Sequence, residues 1–151
     1  MIFDSRLRLG TAGVGELHLL RPTTLILHTT HASAAARRRL SATGVTLLEV
    51  GTDPGGHIDI ASALDALGER EVRSLFVEGG GRLHGAFIAA GAWQRWLLYQ
   101  APKILGEGIA VVGGVSWQTV AESPVVEVES RRILGPDQLL VLRPGVRSRR
   151  E

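Results

Sequence analysis

Residues 77–85 read Val-Glu-Gly-Gly-Gly-Arg-Leu-His-Gly, a carboxylate followed by three consecutive glycines and the start of an amphipathic run. Adjacent glycines lose much chain entropy on folding, so they belong where backbone turns tightly or comes close to something else. An apolar strand, then glycines, then a helix start would present free backbone N–H groups at the positive end of a helix dipole. That is an anion site, suited to phosphate. The spacing is not that of the dinucleotide fingerprint, because with Gly79, Gly81 and Gly85 the third glycine is late and the motif lies well into the chain. No Gly-Lys-Ser/Thr follows, which excludes a Walker loop. Tight packing of strand against helix accounts for the same glycines without a ligand, and spacing alone leaves both readings open.

Other reactive side chains are sparse. His28 and His31 have H-x-x-H spacing, but they straddle a strand end without a third ligand, so no metal is expected. The chain has no cysteine, which removes thiolate chemistry and disulfides and suits a cytoplasmic location. Lys103 is the one charge inside "APKILG", placed to meet phosphate or to reach solvent from a strand end. Arg37, Arg38 and Arg39 read as a solvated helix face. Asp4 and Asp59 read as turn or cap residues, and Trp93 and Trp96 as core or oligomer contacts.

Alternating elements position these residues. Thr23–Thr29 reads as a buried strand, Ser33–Ala42 as a helix capped by Ser33 and stopped by Gly44, and Val45–Val50 as a second strand. After the turn cluster "GTDPGG", Ile58–Glu69 has helical spacing with Asp59 as its cap. Ser74–Glu78 reads as a strand, the segment after the glycines as a helix ending at Gly91, and Trp96–Ala101 as a further strand. The order predicts βαβ units in a largely parallel sheet. The runs "VVEVESRRIL" and "QLLVLRP", joined by a turn at Gly135–Asp137, predict a C-terminal antiparallel pair. One α/β domain over residues 1–151 is the expectation.

Composition narrows the partners. Aromatic residues are 5% of the chain and the net charge is +2, without the basic, aromatic-interleaved stripe of a nucleic-acid reader. No apolar run approaches the ~20 residues of a membrane span, and the opening residues lack a signal-peptide core. Neither nucleic acid nor membrane is expected as a partner.

The segments "LFVEGGGRLHGAF" and "WLLYQAPKILGEG" together resemble the reductase domain of bacterial riboflavin-biosynthesis deaminase-reductases. There a Val-Glu-Gly-Gly-Gly-Thr-Leu-Asn-Gly segment precedes Leu-Tyr-x-Ala-Pro-x-Leu-Leu-Gly-Gly. "FDSRLRL" is similar to that family's Asp-Ser-x-Leu-Arg segment, and the likeness spans nearly the whole chain. It implies a dihydrofolate-reductase-like fold and NADPH as cofactor. The implied reaction reduces 5-amino-6-(5-phosphoribosylamino)uracil to its ribitylamino form, with hydride delivered to C1′ of the open ribose chain.

Carried onto this sequence, the resemblance places Glu78 at the substrate. It places Gly80, Gly81, Arg82, Leu83, His84, Gly85 and Ala86 at the cofactor loop and helix start, and Thr29, with Thr30 beside it, at NADP. Arg82 stands where threonine is usual and His84 where asparagine is usual. The family's Lys-x-Ala-x-Ser-Leu-Asp-Gly-like and Gly-x-Gly-Thr-like segments and the deaminase zinc motif have no counterpart here. An N-terminally truncated reductase domain, slow on its own, is therefore expected. Self-association to a homodimer or larger is implied too, with "WQRWLLYQA" as the contributing surface. The alternative function is a non-catalytic NADPH-binding or interaction subunit derived from the same domain.

Overall fold

Strand β2 (Leu25–His28) runs between β1 (Ile2–Phe3) and β3 (Thr46–Glu49), parallel to both, with Ile26 opposite Ile2 and Leu47. Its continuous apolar sequence follows from burial on both faces, the usual condition of a parallel strand. Ile26 packs on one side with Leu7, Ala32, Ala36, Leu40 and Val45. Leu27, pointing the other way, packs with Val50, Ile58, Ala63 and Leu67. Helix α1 (Ala34–Ser41) thus covers the first face and α2 (Ile60–Gly68) the second.

The computed structural model describes residues 1–11 and 18–146 and divides into two compact units, Met1–Leu75 and Phe76–Glu151. In the first, both expected caps are present: Ser33 Oγ accepts from the Ala36 amide at 3.2 Å and Asp59 Oδ1 from the Ser62 amide at 2.7 Å. Each satisfies one donor that the helix leaves unpaired. Gly44, at φ +83°, lies just beyond the end of α1 as expected.

The second unit holds helix α3 (Gly81–Ala89) and an antiparallel sheet of β4 (Trp96–Gln100), β5 (Val126–Leu134) and β6 (Asp137–Pro144), in the order β4-β6-β5. The α/β class, the helix-flanked parallel sheet and the C-terminal antiparallel pair are those expected. Two details differ. β4 joins the C-terminal pair, antiparallel to β6, instead of extending the parallel sheet. Residues 74–78 form no strand. A strand exists through its ladder partners, and this run has none among the described residues. Leu75 packs onto the α2-side core while Phe76 is 76% exposed.

The β5–β6 hairpin closes at Gly135, whose φ is +63°, and carries a bulge between Val128 and Ser130. A bulge re-aims the extra side chain. Here it is Glu129, which receives two hydrogen bonds from Arg95, Nε at 3.0 Å and an amino nitrogen at 2.8 Å. This fork raises the Arg95 guanidinium pKa. The same Arg95 hydrogen bond, with smaller help from the charges of Arg95 and Arg143, holds the Glu129 carboxyl below its ordinary value.

A carboxyl lowered on folding contributes stability that is present above its unfolded value of about 4.3 and lost as pH falls through the folded value. Replacing Glu129 by Gln should therefore lower the thermal midpoint slightly at pH 7. The difference from the parent should close in acid, below the ordinary carboxylate range. A constant difference between pH 7 and pH 3 would show that the fork is not its source.

Candidate functional site

α3 begins differently from the other two helices. Its cap is Gly80, with φ −75° and ψ 173°, so no side chain caps it; like α1 and α2, it has no acidic residue in its first turn. The amides of Leu83 and His84 turn back onto the Gly80 carbonyl at 2.9 and 3.2 Å. Among the described residues the amides of Gly80, Gly81 and Arg82 have no acceptor. Arg82 adds a guanidinium to this end without a carboxylate partner among the described residues. A cation at a helix N-terminus opposes the dipole, so free amides and a free arginine together form an arrangement that an anion completes.

The glycines divide into two groups. Gly80 is exposed, and a Cβ added there would meet nothing within 4 Å. Gly81 and Gly85 are buried, and a Cβ at either would collide with the backbone carbonyl oxygen of Ala110 or Gly113. The Gly113 amide donates to the Gly81 carbonyl at 2.9 Å, and His84 Nδ1 lies 3.1 Å from the Val111 carbonyl. Close packing therefore explains Gly81 and Gly85, while Gly80 is open for a ligand. The partner of that packing is the segment 110–113, not a strand. Leu83 lies against Gly79, and a Cβ added at Gly114 would stand 3.5 Å from the Arg82 stem, an ordinary contact. Glu78 is exposed and Ala86 half-buried.

In the first unit, the residues following β1, β2 and β3 are tied together by Ser5. Its carbonyl accepts from the Thr29 amide at 3.0 Å and the Thr29 hydroxyl at 2.9 Å, and its hydroxyl accepts from the Ile58 amide at 3.1 Å. Thr29 is 0% exposed, and its oxygen also accepts from the His31 amide. Its side chain thus shapes the loop and presents nothing to solvent, whereas Thr30 is exposed. His28 is buried with Nδ1 3.0 Å from the Thr29 carbonyl, and no three-ligand metal group occurs among the described residues.

Arg6, which the sequence reading passed over, belongs to this edge. Gly56, at φ +78°, brings the turn after β3 beneath it: a Cβ there would lie 3.4 Å from His31 Nδ1 and 3.9 Å from an Arg6 amino nitrogen. Arg6 makes no ion pair among the described residues. The nearby Asp53 is engaged by the His57 amide at 2.7 Å. Arg6 and His31 are far apart in the chain, so no local pattern signals their meeting. It occurs at the carboxyl ends of parallel strands, the edge where α/β sheets take ligands. A separate open cleft of about 220 Å³ at the far end of β4 is lined by Gln100, Pro102, Ile133 and Gln138 and contains none of the predicted site residues.

A parallel three-stranded sheet with helices, followed by an antiparallel sheet, defines an α/β protein. The sequence matches the profile of the RibD C-terminal domain over residues 1–139, and the chain belongs to that family. It is 32% identical over 108 residues to the riboflavin biosynthesis protein RibD of Bacillus amyloliquefaciens, a match covering 70% of this chain and 28% of that protein. It is 33% identical over 90 residues to RibD of Escherichia coli K12, covering 58% of this chain and 24% of that one. The chain thus matches about a quarter of the length of these relatives. Among solved structures, Acinetobacter baumannii RibD superposes with a TM-score of 0.71 at 23% identity, over 95% of this chain and 36% of that one. A pyrimidine reductase-like protein from Corynebacterium diphtheriae superposes at 0.68 and 17% identity, over 97% and 60%. The fold is that of these reductase domains. No helix among the described residues is long and apolar enough to cross a membrane.

The two groups of glycines should separate in mutagenesis. Gly81→Ala and Gly85→Ala drive a methyl into backbone, an overpacking that costs about 1–3 kcal/mol or more. Gly80→Ala meets open space and should cost less than about 1 kcal/mol, from the poorer cap. Urea unfolding of the three variants checks this, and equal losses would refute the division.

Proposed function

We propose that the chain binds NADPH and reduces 5-amino-6-(5-phosphoribosylamino)uracil to its ribitylamino form, as the reductase part of riboflavin biosynthesis. The observation that carries the reading is the start of α3, with three unpaired amides, no cap and an unpaired Arg82. This donor set fits a pyrophosphate. When bound, NADPH supplies the hydride. The protein's part is to hold and orient: the amides of Gly80, Gly81 and Arg82 donate to the pyrophosphate, with Leu83, His84, Gly85 and Ala86 forming the helix beneath. Glu78 accepts hydrogen bonds from the pyrimidine or its sugar. Arg6 and His31 meet the 2′-phosphate, with Thr30 beside them and Thr29 fixing their loop. Water protonates the developing alkoxide, so no side chain need act as general acid.

One observation favours a binding role without turnover. Glu78 is exposed and has no hydrogen-bond or ion-pair partner among the described residues, whereas catalysis needs its groups firmly positioned. Turnover of the phosphoribosylaminopyrimidine by the purified chain decides between the two readings.

Fluorescence titration with both nucleotides tests the cofactor. NADPH should bind at least tenfold more tightly than NADH, and Arg6→Ala should narrow that ratio by weakening NADPH alone. Gly80→Asp, which sets a carboxylate where the pyrophosphate would lie, should abolish binding of both. Equal affinities in the parent chain, or no binding, would count against NADPH.

The same reading includes a homo-oligomer. β4 is an edge of its sheet, free of charge and proline, and exposes Leu97 and Tyr99, whereas the other edge, β5, carries Glu127, Glu129, Arg131 and Arg132. Uncharged edges recruit partners. Trp93 and Trp96 are half-buried, so Tyr99 is the more available aromatic of this segment. Light scattering should show a dimer or larger species at micromolar concentration, and Tyr99→Lys should shift it toward monomer. A monomeric parent chain would overturn the assignment.

A further inference from the structure

The segment 110–114 has no regular secondary structure and buries no apolar side chain fully: Val111 is 50% exposed and Val112 half-buried. It nevertheless lies on the glycine face of α3 so closely that neither Gly81 nor Gly85 has room for a methyl group. Two polar ties join it to the helix. One is the bond from the Gly113 amide to the Gly81 carbonyl, made by main-chain groups alone. The other depends on a side chain: His84 Nδ1 stands 3.1 Å from the Val111 carbonyl. Since a carbonyl only accepts, Nδ1 carries the proton.

We propose that His84 is a positioning residue, a clasp whose Nδ1–H fixes segment 110–114 against the first turn of α3 and so forms one wall of the anion site at Gly80–Arg82. The part concerning the site rests on the NADPH reading above; the clasp itself does not. The identity of the donor atom explains why histidine is acceptable at a position where asparagine is expected. Asparagine Nδ2 is the same number of bonds from Cα as histidine Nδ1, so either side chain places an N–H at this reach. Aspartate has the shape of asparagine but, when ionised, only accepts, and would face the Val111 carbonyl with like charge.

Amide exchange of Gly113, followed by NMR on the full chain, reads the clasp, because that proton is shared with the Gly81 carbonyl. Exchange at Leu140, in the central strand β6, monitors global opening in the same sample. A net hydrogen bond shifts an opening equilibrium by roughly two- to tenfold. His84→Asn should keep Gly113 as protected as in the parent chain. His84→Asp should speed its exchange by about that factor without changing Leu140, and His84→Ala provides the same comparison should the aspartate variant fail to fold. NADPH affinity should follow the same order.

Equal protection in the asparagine and aspartate variants, or asparagine as fast as alanine, would overturn the clasp. A split in exchange with NADPH affinity unchanged across the variants would overturn the positioning role. If the parent chain binds no NADPH while exchange still splits, the clasp stands and the cofactor reading falls.

Discussion

The approach of backbone to backbone between α3 and segment 110–113 is the constraint on which the second unit is arranged. Gly81 and Gly85 are four residues apart and therefore share one helix face. Because that face has no Cβ atoms, the helix is positioned by main-chain contact, including the Gly113 to Gly81 hydrogen bond. The neighbouring side chains then take up different work: Phe87 is buried, His84 reaches the Val111 carbonyl, and Arg82 is exposed in the first turn. The helix start is left without a cap, which is unfavourable by itself for a helix whose first amides need acceptors. An anion would relieve that deficit, so in the proposed reading close packing and binding both draw on the glycines at the start of this helix.

The first unit solves its problem by a different route. Three parallel strands deliver their following loops to one sheet edge, where buried polar groups must find partners. Ser5 meets that need with both its carbonyl and its hydroxyl, binding Thr29 on one side and Ile58 on the other. Thr29 is thereby fully committed, and what the edge presents outward is determined by its neighbours, Thr30, His31 and Arg6. A buried threonine can matter to a ligand site by setting the path of the backbone while never touching the ligand.

What was legible in the sequence follows the range of the forces involved. The Ser33 and Asp59 caps, the stop at Gly44 and the hairpin turn at Gly135 depend on bonds or dihedrals within a few residues, and each was readable from residue type. The apolar run at 75–77 resembled a strand equally well, but a strand needs a ladder partner, and nothing in five residues specifies one. β4 likewise had strand composition without any mark of whether its neighbour would be parallel. At the site, the glycine run announced a close approach, yet its partner lies some 30 residues further on. Arg6 and His31 meet through a turn belonging to a third loop, a convergence that only the topology creates.

In the proposed site, the departures at 82 and 84 from the residues that the resemblance implies spare the groups that would bind. Its donors are main-chain amides, whose direction depends on the path of the helix start and not on side-chain identity. Replacing a threonine by Arg82 leaves those amides in place and raises the local positive charge, which strengthens the demand for an anion. Replacing an asparagine by His84 leaves an N–H at the same reach from the backbone. In each case the part of the residue that the arrangement uses is retained, whether backbone or a single donor atom, and the remainder of the side chain is free to vary.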